Sequence, residues 1–432
     1  MMFLLRENAG AHAGGRRPPS VRGPRPGAPP EIVLDLSRLV SRVLHPSPTG
    51  IDRVEMAYAR HLLARIPERL LFGAVHPCGL YGHIPHDAAC EFLGLTEYRW
   101  EEFGVLEPAM ARRRRAIRSL LLMRPRPVSP PAGRRVLMQA SPHHLDRPNR
   151  VSAKLAREQA RLICLVHDLI PISHPEFARP GGTDRHRRRL HTLERFAAGL
   201  LVNSQATLET FAANVGELFP DRPIRVAHLG TTHPATYQRA THQPAEPPGR
   251  PYFVCIGTIE PRKNHLLLLN IWRSLVDALG PDQTPLLYLV GRRGWENENV
   301  VDMLDRCGRL RDAVVELDRL PDVGLRRLMA GARAVLMPSF AEGFGLPIVE
   351  ALAAGVPVLA SDLPAHREAG GAAPDYLDPI DGASWREAIL AYAARCSPRR
   401  EAQVVRLASW QPVSWDRHID VALDLAEEVA AC

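Results

Sequence analysis

Ala334-Val335-Leu336-Met337-Pro338-Ser339, then Phe340-Ala341-Glu342-Gly343-Phe344-Gly345-Leu346-Pro347, then Ile348-Val349-Glu350-Ala351-Leu352-Ala353-Ala354-Gly355-Val356-Pro357-Val358-Leu359-Ala360-Ser361 run on without interruption. An apolar stretch with β-branched content stops at Pro338, two glycines follow, and Pro347 stands where a first helical residue tolerates losing its N–H. Gly355 ends the helix before a second apolar stretch. The reading is strand, glycine loop, short helix, strand: one βαβ unit of a parallel sheet.

In such units ligands bind beyond the carboxyl ends of the strands, and the free N–H groups at a helix start attract phosphate. Gly343 and Gly345 let backbone approach the ligand closely. Glu342 lies in the loop and Glu350, eight residues on, is placed in the first helical turn. Carboxylates hold phosphate poorly but suit hydroxyls, so a ligand with a charged middle and sugar-like ends, a nucleotide sugar, fits. An ordinary βα turn with two solvated glutamates is the plainer alternative.

Working outward, similar units recur. Tyr252-Phe253-Val254-Cys255-Ile256-Gly257 reads as a strand entering the turn Thr258-Ile259-Glu260-Pro261-Arg262-Lys263-Asn264. Arg262 and Lys263 sit at its carboxyl end, where cationic heads suit a diphosphate, Arg as a fork and Lys as a point charge. Leu286–Val290, Val314–Leu317 and Val356–Leu359 continue as strands between helical stretches, so this half is a doubly wound parallel sheet. A first sheet opens at Glu31-Ile32-Val33-Leu34-Asp35-Leu36, and Thr49-Gly50-Ile51-Asp52-Arg53 leads into a helix behind it. Leu162-Ile163-Cys164-Leu165-Val166 ends at His167-Asp168-Leu169-Ile170-Pro171, which puts His167 where α/β folds keep active groups. A strand-end histidine is equally at home in a structural role.

The 432 residues, 45% hydrophobic and 24% charged, are those of a globular protein of two or three domains. No apolar run approaches the roughly 18–20 residues that span a bilayer. Met2-Phe3-Leu4-Leu5 is too short for a signal-peptide core, so a cytoplasmic location is expected. Seven scattered cysteines without C-x-x-C spacing read as reduced, buried small hydrophobes. Of the net charge of +8, residues 1–30 supply +4, five arginines against Glu7; the folded part is only mildly basic, and nucleic acid is not an expected partner. That Gly/Pro/Arg-rich stretch is expected to be disordered. Residues 111–126 hold seven arginines and no acid beside Ile117, Leu120, Leu121 and Met123. They read either as a basic amphipathic helix lying peripherally on an anionic membrane surface or as a solvated helix face. Arg185, Arg187, Arg188 and Arg189 touch an anionic acceptor or only water.

The run E-G-F-G-L-P-I-V-E at 342–350 resembles the E-x7-E signature of the retaining glycosyltransferases of family 4, built on the GT-B fold. E-P-R-K-N at 260–264 and H-D-L-I-P at 167–171 resemble its mannosyltransferase-like branch, and T-G-I-x-R at 49–53 its opening loop. Where many relatives have an arginine after the glycine of the 257 turn, this chain has Thr258. The resemblance is dense over 251–385 and patchier over 31–230. It implies an α/β chain of two Rossmann-like parallel-sheet domains facing a central cleft. Residues 31–232 would form the acceptor side, 233–250 a linker and 251–408 the nucleotide-sugar side, with a helix in 409–432 crossing back to the first domain.

The resemblance further implies transfer of a hexosyl group, mannosyl by the branch, from GDP-mannose or another nucleotide sugar. The acceptor would be a saccharide or lipid-linked glycan of the cell envelope. Retention would follow from front-side attack, a diphosphate oxygen helping to take the acceptor proton. Glu342 would hold the donor sugar's hydroxyls, Glu350 the ribose, and Arg262, Lys263 and the N–H groups of Phe344, Gly345 and Leu346 the diphosphate. Gly50, Gly257 and Gly343 would give the donor close backbone approach, with His167 at the reacting centre. No Asp-x-Asp occurs in the chain, so neither a metal nor another cofactor is expected. Two rivals are an epimerase or hydrolase of nucleotide sugars on the same scaffold, and a non-catalytic glycan- or nucleotide-binding descendant. A nicotinamide dehydrogenase is disfavoured, since no G-x-G-x-x-G follows the first strand of either half.

Overall fold

The computed structural model describes residues 29–45, 47–103, 108–231, 249–318 and 320–431. The Arg/Pro-rich N-terminal stretch and nearly all of the expected linker lie outside them. The remainder forms two sheets. In the first, β1 (Glu31–Asp35), β2 (Leu70–Val75), β3 (Tyr81–Ile84), β4 (Arg135–Gln139), β5 (Arg161–Val166), β6 (Ala197–Val202) and β7 (Ile224–Val226) lie in the order 3-2-1-4-5-6-7. In the second, β8 (Tyr252–Ile256), β9 (Leu286–Val290), β10 (Val314–Leu317), β11 (Ala334–Met337), β12 (Val358–Ser361) and β13 (Asp375–Leu377) lie in the order 10-9-8-11-12-13. Every pairing is parallel except β2 with the edge strand β3.

Strands covered by helices on both faces need apolar residues at every position, not every second one. β11 is apolar and buried at each residue; β4 is buried throughout as well, its polar ends satisfied by Glu31 and Glu158 at Arg135 and by the Ser141 and His143 carbonyls at Gln139. Alternate side chains then feed opposite faces: Phe253 and Cys255 join one core cluster of the second sheet, Tyr252 and Val254 the other. Cys164 and Cys255 are buried as expected, inside the apolar strands β5 and β8, but Cys78 and Cys396, outside any strand or helix, are exposed.

The two domains are joined through side chains from both. Phe344 and Val349 of the glycine-loop helix and Ala369 pack into a core cluster that otherwise belongs to the first domain. The helix Trp415–Ala431 crosses back as well, contributing Ile419, Ala422, Leu425, Ala426 and Val429 to the same cluster. These positions recur at three- and four-residue spacing, one face of a helix. Gly230 admits the crossing: a Cβ there would stand 2.3 Å from the Trp415 backbone nitrogen. Among the described residues no helix is long and apolar enough to cross a membrane. The arginine-rich stretch forms a helix, Ala109–Leu122, with Met110, Ile117 and Leu121 exposed on it.

Candidate functional site

The helix Leu346–Ala353 starts as its sequence dictates. Gly345 takes φ +111° just before it and Pro347 sits in its first turn. A side chain at 345 would be strained in that conformation. Gly343 is needed for a different reason: a Cβ there would lie 2.1 Å from the His167 carbonyl oxygen, so the loop can rest on the first domain only without one. Ser204 and Thr207 then donate hydroxyl hydrogen bonds to the Gly343 carbonyl, at 2.6 and 3.0 Å. The glycine loop is thus clamped against the ends of β5 and β6. Gly50, first residue of the helix Gly50–Arg65, faces Leu346, whose Cδ1 would be 3.5 Å from a Cβ at position 50.

β8 and β11 are neighbours in the sheet, so their carboxyl-end loops meet. There Glu342 is clasped between two cations: Lys263 Nζ lies 2.5 Å from one carboxylate oxygen and Arg262 Nη1 2.6 Å from the other. Ser339 donates a further hydrogen bond of 2.9 Å to Glu342. Arg262 also pairs through Nε with Glu260, at 2.6 Å, and donates to the Ala341 carbonyl. The Glu342 side chain is only 8% exposed. Burial would push its carboxyl up, but Arg262 and Lys263 outweigh it and hold the group well below the usual carboxylate range. Burial likewise works against the Arg262 charge, and Glu342 with Glu260 more than restores it. Gly257 closes the clasp from behind, packed on the Lys263 stem at 3.2 Å from a would-be Cβ.

Glu350 lies in the second turn of its helix rather than the first, because the helix begins already at Leu346, one residue before Pro347. Burial raises its carboxyl pKa; Arg53 pulls it down and Asp322 pushes it up. Arg53 and Asp322 form a two-armed ion pair between the domains, at 2.6 and 2.7 Å. Glu350 therefore lies within electrostatic reach of the interdomain pair, while Glu342 has different neighbours, Arg262 and Lys263. His167 donates from Nε2 to the Ala140 carbonyl at 2.7 Å, which leaves Nδ1 as the lone-pair nitrogen. Burial holds its pKa below the ordinary histidine value, against the Ala140 bond and Asp168.

Several participants carry no recognisable motif. His366 packs against Gly345 and donates from Nδ1 to the Ser361 carbonyl, and its buried Nε2 has no partner among the described residues. Trp295 donates across the junction to the Phe177 carbonyl at 3.1 Å, and Phe177 stacks on Phe340. Glu368 accepts from the Ala206 N–H and pairs with His228. Only the three-dimensional meeting of distant segments reveals these. Arg53 and Glu260, by contrast, sit inside the quoted motifs, with their partners hidden.

Residues 250–394 match the family model Glycosyl transferases group 1. The chain is 38% identical over 168 residues to the O-antigen chain mannosyltransferase B of Escherichia coli, covering 38% of this chain and 42% of that protein. It is 30% identical over 221 residues to the serotype-specific mannosyltransferase WbdA of Escherichia coli, covering 47% of this chain and 26% of that one. The chain thus spans less than half the length of these relatives. Among solved structures, Anabaena Alr3699/HepE in complex with UDP-glucose superposes with a TM-score of 0.55 at 16% identity, over 93% of this chain and 98% of the other. The fold is GT-B.

Proposed function

We propose that this chain, whose residues 250–394 form a group 1 glycosyl transferase domain, transfers a mannosyl group from GDP-mannose, or a hexosyl group from another nucleotide sugar, to a saccharide or lipid-linked glycan acceptor. The single observation that carries this reading is the clasp at the helix start. Two cations, a glycine-capped helix N-terminus and a carboxylate converge where the domains meet, and the relatives that share the sequence around it are mannosyltransferases.

Breaking the anomeric C–O bond sends its electron pair to the departing diphosphate and leaves positive charge on the sugar ring. Donors fixed in advance near the leaving group lower that barrier. Arg262, Lys263 and the first N–H groups of the Leu346–Ala353 helix, which have no intrahelical acceptor, are such donors. A diphosphate would exchange for Glu342 at the two cations and release its carboxylate toward the sugar hydroxyls. Glu350, within electrostatic reach of the interdomain pair, would take the ribose. His167, neutral at pH 7 with its tautomer fixed by Ala140, can accept a hydrogen bond from a sugar hydroxyl at Nδ1 but is a weak base. The acceptor proton would pass to a diphosphate oxygen as the new C–O bond forms on the same face, which retains configuration without a metal.

The test follows donor consumption and product stereochemistry by proton NMR, with GDP-mannose and UDP-glucose in turn, in the presence of chelator. Donor loss that requires a glycan acceptor, with an α-linked product from an α-linked donor, is the expected result. Equal loss into water would make the protein a hydrolase, an altered donor sugar an epimerase, and binding without turnover a carrier. Abolition by chelator would remove the metal-free mechanism.

A further inference from the structure

A second site lies wholly within the first domain. A cavity of about 290 Å³ is walled by Arg38 beyond β1, by the loop after β4 from Pro142 to Arg147, and by Arg179, Arg185 and Arg189. Five arginines face a single acid, Asp146. Three of them are already engaged. Arg38 is held by Asp52 at 2.7 Å, Arg185 by Asp146 at 3.1 Å, and Arg179 lies over the Trp295 ring at 4.6 Å. Among the described residues Arg147 and Arg189 form no ion pair. Arg189 Nε and His144 Nδ1 are buried, and among the described residues neither has a hydrogen-bond partner, so a ligand can supply one.

Asp146 and Asp168 offset part of this charge at Arg189, and the cavity's two histidines add none to it. Burial pushes the His143 imidazole down to about 4, and burial also lowers His144, so neither adds a cation at pH 7, and both are hydrogen-bonding rather than ionic neighbours. His144 is held at φ +64°, a strained backbone for a side-chain-bearing residue. Asp168 links the cavity to the clasp, since its charge acts on both Arg189 and Arg262. An occupant would therefore sit beside the donor while contacting only the opposite domain.

We propose that this arginine-lined cavity binds the phosphate of a phosphorylated acceptor, the two unpaired guanidinium groups of Arg147 and Arg189 gripping its oxygens. The acceptor role rests on the glycosyl-transfer reading; the phosphate site does not. Guanidinium forks arrive from the loop after β4 and from the helix Gly182–Phe196. One planar carboxylate fills one fork, whereas a tetrahedral dianion can meet several at once. The volume, at the small end of ligand-sized cavities of roughly 300–1,000 Å³, suits a phosphate together with the one sugar ring that carries it.

The experiment measures thermal shift and calorimetric affinity of the full chain for inorganic phosphate, with saturating GDP or UDP present to block the clasp. Acetate serves as the carboxylate control. Phosphate should raise Tm beyond the nucleotide's own shift, and R147Q and R189Q should each weaken phosphate binding roughly tenfold, the loss of about one charge-assisted hydrogen bond, while the nucleotide shift stays as it was. Should R189Q fail to fold, as judged by far-UV circular dichroism, the more exposed R147Q carries the test. No phosphate shift, a shift both variants retain, or equal binding of acetate overturns the site. A phosphate response without any nucleotide response would leave the site standing and remove the donor reading instead. Mannose 1-phosphate and phosphatidylglycerol vesicles separate the sources. Arginine-dependent binding to the first alone assigns a soluble sugar phosphate, and to the vesicles a lipid headgroup.

Discussion

Glu55 in the first domain and Glu342 in the second are both buried glutamates, and their surroundings drive them in opposite directions. Glu342 sits between Lys263 and Arg262 and stays charged. Among the described residues Glu55 has the Leu39 N–H, at 3.0 Å, and the Ser141 side chain, and its Oε2 has no hydrogen-bond partner. Burial pushes its carboxyl up to about 8. Arg38, whose charge acts on it, is committed to Asp52. One domain keeps its acids and cations in mutual balance at the site, so that an arriving anion must displace a carboxylate. In the other, Arg38 and Arg185 hold acids of their own, while among the described residues Arg147 and Arg189 form no ion pair, so that an arriving anion need not displace a carboxylate from them.

The sharpest way to break this contrast is to give Glu342 the environment of Glu55. Arg262→Ala removes half the clasp and strands Glu342 and Glu260 in a buried site. It should cost about 3–5 kcal/mol in denaturant unfolding and abolish measurable transfer. Adding Glu342→Gln should recover part of the stability but none of the activity. If the single variant unfolds like the parent, the clasp is not what holds the loop.

Acid and base should separate the two glutamates next. The folded carboxyl of Glu342 lies below its unfolded value, so its stabilisation is present above pH 4.5 and is lost as the pH falls further. That of Glu55 is raised, so stability is full below pH 4.5 and declines as pH rises through about 8. The decline should amount to something on the order of 4 kcal/mol, and unfolding of Glu55→Gln between pH 5 and 9 should show it gone. A parent whose stability is flat over that range would mean Glu55 has an unseen cation.

Glu350 stands between these extremes, raised by burial yet opposed by Arg53. Glu350→Ala should raise the donor KM roughly tenfold, about 1.4 kcal/mol, with kcat little changed. An unaltered KM would take the ribose away from this residue. The smallest effect is expected from Asp322→Ala, which frees Arg53 from a part-exposed pair and should cost about 1 kcal/mol or less in stability. A donor KM lowered by the freed Arg53 would show that the interdomain pair competes with the ligand.

The second domain was legible because its strands are continuous apolar runs punctuated by glycine and proline, and because neighbouring strands bring Arg262, Lys263 and Glu342 to one rim. What could not be read was who partners whom. The sequence marks Arg262, Lys263 and Glu342 as candidate donor ligands but carries no sign that Glu342 pairs with both cations. Pro347 marks a helix start in the sequence one residue after the true one at Leu346, and that single residue moves Glu350 from the first turn to the second. Glu55 lies in a helix whose Val54, Met56 and Tyr58 are all buried too, so periodicity alone could not tell its carboxyl from a solvated one. The arginine cavity draws on four separate segments between residues 38 and 189, and no local pattern announces such a convergence.

The returning helix sets an order on biosynthesis. Ile419, Leu425 and Val429 cap an apolar face of the domain that leaves the ribosome first. That face must wait, uncovered, through translation of the whole second domain, so nascent chains halted before residue 415 should recruit chaperones that those carried past residue 430 release.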